Sequence, residues 1–137
     1  MKFTIEEFIA RSKKSGCKDV DFTSKILNNA QDLIDRINRL GYKPPKYFSS
    51  CLRSKEKQIQ IYKDKGITDI NKIPMKSAHL TGQAVDIADD GSLQQWLLEH
   101  ETDMGKCGLY AEDFRYTKSW CHLQSVAPKS KKRFFIP

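Results

Sequence analysis

Apolar positions recur with helical spacing twice in the first 41 residues. Ile5, Phe8 and Ile9 follow Thr4-Ile-Glu-Glu7, a capping-box sequence, and Gly16 closes the segment. After Thr23 or Ser24 as cap, Ile26, Leu27, Ala30, Leu33, Ile34, Ile37 and Leu40 share one face, and Gly41 marks the end. This second helix is the clearest element of the chain. Its apolar stripe reads as core that backs a sheet.

Beyond it the period shortens. Pro44-Pro45 stiffens an extended connection, and Tyr47 to Leu52 reads as a strand that delivers Arg53. Ser54 is placed to cap a third helix carrying Ile59, Ile61 and Tyr62, with Gly66 at its end. Residues 67 to 78 lack periodicity and contain Pro74, which predicts a loop. Gln83 to Ala88 alternates: Ala84, Asp86 and Ala88 on one face, Val85 and Ile87 on the other. Asp89-Asp90-Gly91 is a turn, and Ser92-Leu-Gln-Gln95 starts a helix with Ser92 as a box-like cap, burying Leu93, Trp96 and Leu97. His100 is expected exposed at the end of that helix. Gly108 to Asp113 and Ser119 to Gln124 read as a hairpin joined through Phe114 to Lys118. The expected fold is α+β: one domain over residues 1–137, with a small antiparallel sheet of about four strands and helices packed mainly on one face.

Composition narrows the setting. The 137 residues suffice for one core without staples, and no run approaches the ~18 apolar residues of a membrane span. Two acids at Glu6-Glu7 stand where a signal peptide needs an apolar stretch, so synthesis for the cytoplasm is expected. Cys17, Cys51, Cys107 and Cys121 include no close pair, and reduced thiols are expected. The net charge of +7, with Lys129-Ser-Lys-Lys-Arg133 near the C-terminus, draws the chain to polyanions, either nucleic acid or the anionic polymers of a bacterial wall.

The chemistry concentrates in His79 to Asp86. Asp86 is a carboxylate on an apolar strand and needs a cation or strong hydrogen-bond donors. Gly82 permits a tight turn that brings His79 back beside it. Imidazole and carboxylate suit zinc, and His122, in the strand Trp120-Cys-His-Leu-Gln124, is the candidate third ligand. A fourth position would remain open for water.

A His, six residues, an Asp and a later Trp-x-His together resemble the zinc signature of the D-alanyl-D-alanine carboxypeptidase and L-alanyl-D-glutamate endopeptidase superfamily, which shares its fold with lysostaphin-type enzymes and the hedgehog signalling domain. Ser49 to Ser54, Ser77 to Asp86 and Gly108 to Gln124 resemble small phage-encoded members, and with the closing Phe135-Ile-Pro the resemblance spans roughly residues 47–137. It implies zinc on His79, Asp86 and His122 in a cleft on the sheet. It further implies that Arg53 stands beside the metal to hold a substrate carbonyl or carboxylate, and that Ser77 and Trp120 line the substrate path. The implied substrate is a peptidoglycan stem peptide. The implied setting is release from the cytoplasm through a holin, or action as part of a virion. No specific nucleic acid, no membrane and a monomeric state are expected.

Many relatives carry the general base three residues before the second His. Here that residue is Ser119. If the hairpin turns near residue 117, Glu112 faces His122 with Cβ atoms about 5 Å apart, while Asp113 faces Cys121 on the opposite side. A one-residue slip exchanges them, so Glu112, Asp113 or neither can be the base. The alternative function is a zinc-stabilised binding module for wall fragments or a protein partner. A third is a nucleic-acid-binding protein that uses the basic tail.

Overall fold

A computed structural model describes residues 1–137. Five strands form one sheet: β1 (Phe48–Ser50), β2 (Ala84–Ala88), β3 (Tyr110–Glu112), β4 (Trp120–Gln124) and β5 (Phe134–Phe135). Their order across the sheet is β1-β2-β4-β3-β5. β1, β2, β4 and β3 are antiparallel neighbours, but β5 runs parallel to β3. The α+β class stands, whereas the expected sheet of about four antiparallel strands is corrected to a mixed sheet of five. The extra strand is only Phe134–Phe135, too short to show a period. It forms because Ala111 N–H donates to Arg133 O (2.9 Å) and Asp113 N–H to Phe135 O (2.8 Å).

Five α-helices accompany this sheet: α1 (Ile5–Lys14), α2 (Ser24–Arg39), α3 (Lys55–Asp64), α4 (Ser92–Glu99) and α5 (Glu101–Lys106). Thr4 and Glu7 close the capping box of α1, and Thr23 and Ser54 cap α2 and α3 through their hydroxyls. Ala30, Leu33, Ile34 and Ile37 of α2 are buried in one cluster with Phe8 of α1 and with Val85, Ile87, Cys121 and Leu123 of the sheet. Strand alternation therefore gives one face of β2 and β4 to the core and leaves Asp86 and His122 on the other. The amphipathic helices anchor the face opposite the chemistry. None of the helices is long and apolar enough to cross a membrane.

Two local expectations need correction. Ser92 does not cap α4. The Asp89 carboxylate accepts from Leu93 N–H (3.0 Å) and Gln94 N–H (2.9 Å), and Asp90 accepts from Ser92 N–H (3.0 Å). His100 is half-buried rather than exposed: its ring stacks on Trp96 at 3.8 Å, and Nδ1 meets Trp96 O at 2.7 Å.

Asp89 also receives Lys46 Nζ at 2.8 Å, and its side chain is fully buried. Burial alone would raise its carboxyl, but the Lys46 hydrogen bond and the α4 backbone donors outweigh this and lower it below 3.8. Its contribution to stability is complete above the unfolded value near 3.8 and is lost as pH falls through the lowered folded value. Asp89→Ala strands Lys46 and uncaps α4, and a loss of about 3 kcal/mol is expected in urea unfolding at pH 7. A loss under about 0.5 kcal/mol would show that Asp90 replaces it fully.

Candidate metal centre

Two paired strands and one tight turn bring the three candidate ligand residues to a point. β2 and β4 pair with Asp86 directly opposite His122. His79 arrives from a 3-10 turn, Ala78–Thr81, where Ser77 Oγ accepts the His79 N–H (3.3 Å). The turn ends at Gly82 with φ 76°, and a Cβ there would lie 2.8 Å from Ile26 O of α2. Glycine is required twice over, for the left-handed backbone and for the close approach that seats the turn on α2. His79 Nε2 then lies 3.4 Å and His122 Nδ1 3.0 Å from the same oxygen, Asp86 Oδ1. One ligand atom from each residue falls within 4.8 Å of the others, and this group can hold a metal ion.

The remaining ring nitrogens fix which atoms face that point. His79 Nδ1 lies 2.8 Å from Cys51 O, an acceptor only, so Nδ1 donates there and Nε2 is the nitrogen turned to Asp86, free to ligate once an ion takes the place of the proton between them. His122 Nε2 lies 2.7 Å from Gln124 Oε1, and the Gln124 amide is oriented by its own donation to Val126 O (2.7 Å). His122 therefore offers Nδ1. A carbonyl acceptor behind each imidazole sets its orientation before any ion arrives.

Charge follows the same logic. Burial would raise the Asp86 carboxyl, but hydrogen bonds from His122 and His79 win and hold it well below the ordinary carboxylate range. Burial would lower His122, yet the Asp86 hydrogen bond and the nearby Glu112 charge raise it above 6.5. Asp86 is thus anionic at neutral pH. The Cys51 and Cys121 thiols are pushed up strongly by burial and stay protonated, so Cys51 serves the site through its carbonyl alone. All four cysteines are unpaired.

The other sequence-derived candidates sit around this point in different ways. Tyr110↔Gln124 and Ala111↔Leu123 pair β3 with β4, a register centred on residue 117 that brings Glu112 to His122. Glu112 Oε1 lies 3.9 Å from His122 Nδ1, beside the ligand set and not within it. Asp113 turns away and holds Arg115 through paired bonds of 2.9 and 2.8 Å. Arg53 abuts the His79 turn, its N–H donating to His79 O (3.1 Å). Ser77 is engaged with its own turn, and half-buried Trp120 shares the strand face of His122. Sequence reasoning missed Gln58. It is 1% exposed on a helix otherwise half-exposed, and its Oε1 accepts from Arg53 Nη1 at 2.8 Å while Nε2 donates to Pro74 O at 2.5 Å. Its position five residues after Arg53, on the first turn of α3, is the only signal that could have pointed to it. No protein-family model, curated protein or solved structure matches the chain, so function is read from this site.

Proposed function

We propose that the chain is a zinc-dependent peptidase that hydrolyses an amide bond of peptidoglycan stem peptides, of the D-alanyl-D-alanine carboxypeptidase or L-alanyl-D-glutamate endopeptidase type. The observation that carries this reading is the carboxylate of Glu112, 3.9 Å from a ligating nitrogen of the His79, Asp86 and His122 group. Zinc suits the donor set, because tetrahedral bonds of about 2.0–2.1 Å need ligand–ligand edges of about 3.4 Å. The two edges at Asp86 Oδ1 are 3.4 and 3.0 Å.

Zinc, when bound, polarises a carbonyl oxygen and lowers the pKa of water. Glu112 is placed to accept the proton of the attacking water and to hand it to the leaving amine. Arg53, permanently charged, keeps one nitrogen on Gln58 and offers its other donors to a substrate carbonyl or carboxylate. Ser77 and Trp120 complete the substrate path as the resemblance implies. The setting follows from the substrate: action at the wall after holin-type release, or from within a virion.

A binding module for wall fragments is the second reading. It is favoured by exposed Ser119, which supplies no acid and meets the sheet only through its carbonyl, bonded by Asp89 N–H (3.0 Å). Metal content and peptidoglycan cleavage measured on one purified sample, with fragments identified by mass spectrometry, separate the two. One zinc per chain and a defined peptide cut support the peptidase and name its bond. Zinc without cleavage of any wall type leaves the binding module.

Gln58→Met leaves the Arg53 guanidinium and Pro74 O without their partner at nearly constant volume. Stem-peptide cleavage should fall 10- to 100-fold through kcat with zinc content unchanged. Unchanged kcat would show that Arg53 holds its pose without help.

A further inference from the structure

Two excursions of the chain start and finish at the metal centre. Residues 53–76 open with Arg53, bonded to His79 O, and close just before Ser77, which caps the His79 turn. Residues 125–133 leave directly after Gln124, the partner of His122, and return as β5, where Phe135 pairs with Glu112 and its ring lies 6.1 Å from that of His122. Each excursion is tied to the body. Gln58 bonds Pro74 O, and Arg133 donates to Leu109 O (2.6 Å) and covers the Tyr110 ring at 4.5 Å.

The positive charge of the protein lies in these two excursions. Residues 53–76 hold seven bases and three acids, and residues 125–137 hold four bases and no acid. The rest of the chain holds thirteen bases and fourteen acids, close to neutral. Lys55, Lys57, Lys63, Lys65, Lys72, Lys76, Lys129, Lys131 and Lys132 are all exposed, and none forms an ion pair. The one arginine of each excursion already donates to an internal acceptor. The free cations are therefore flexible lysine point charges, which attract phosphate without reading a planar or bidentate pattern.

We propose that the two lysine-rich excursions form a docking surface for a polyol-phosphate polymer of the cell wall, which holds the metal cleft at the wall. This partner rests on the proposed action at the wall, while the charge distribution stands without it. Nucleic acid is the less suitable polyanion. Its single-stranded binders interleave cations with stacking aromatics. The sole aromatic within residues 53–76 and 125–133 is Tyr62, half-buried beneath Lys65.

The test uses the full chain loaded with zinc and three probes: poly(ribitol phosphate), a thirty-nucleotide oligothymidylate, and a soluble stem peptide free of phosphate. Binding to the polymer should weaken steeply as salt rises from about 50 to 200 mM. The combined variants K129Q/K131Q/K132Q and K63Q/K65Q/K72Q/K76Q should each weaken it at least about tenfold, with zinc content and stem-peptide cleavage unchanged. No polymer binding at low salt, or unaltered binding by both variants, overturns the surface. Tighter binding of the oligothymidylate than of the polymer overturns the choice of partner. Lysine-dependent polymer binding by a protein that does not cleave the stem peptide upholds the surface and removes only the peptidase reading.

Discussion

Asp86→Ala is expected to abolish metal binding. Asp86 Oδ1 is the atom both imidazoles converge on, and its removal leaves two neutral donors and no charge to balance a divalent ion. Zinc affinity should fall more than about 100-fold, the upper end of what losing a mere outer-shell partner costs. Thermal unfolding provides a second readout. Zinc held at 100 times its Kd stabilises the wild-type protein by about 2.7 kcal/mol, roughly a 10 °C rise in Tm. The variant should show no rise. A variant that still binds one zinc with near-native affinity would mean that His79, Asp86 and His122 are not the ligand set.

Glu112→Gln is expected to separate binding from chemistry. The substitution keeps shape and removes the basic lone pair beside His122 Nδ1, while leaving the ligand atoms in place. Zinc content should stay at one per chain and kcat should fall about 10²- to 10⁴-fold, the range that a general acid–base group supplies. KM should change little, because the group acts on the proton and not on the bound peptide. Full activity in the Gln variant would remove Glu112 from the mechanism. Asp113 is a poor substitute, since the adjacent Arg115 hydrogen bonds lower its carboxyl to about 2 and hold it away from the site.

Much of the frame was readable because it rests on periods. The α2 stripe of Ala30, Leu33, Ile34 and Ile37 and the alternation of Val85 and Ile87 about Asp86 report faces within single elements. The β3–β4 register was readable for a related reason: a hairpin transmits parity across its turn, so a centre at 117 sends Glu112 to His122. Features built from pairs of distant backbone atoms had no such signal. The parallel strand Phe134–Phe135 and the Lys46–Asp89 ion pair each depend on where two remote segments meet.

The sequence alone determined four of the five helices, the alternating strands and the identity of three candidate ligand residues, because side-chain type and spacing are local properties. The tertiary structure decided the rest of the site. It showed that His79 presents Nε2 and His122 presents Nδ1, that Gln58 holds Arg53, and that Asp113 faces away. The physical reason is that every residue carries a carbonyl acceptor, so nothing in the chain marks Cys51 O, Pro74 O or Val126 O as the ones that orient a metal site. Only folding selects them, by placing each against the single ring or amide it fixes.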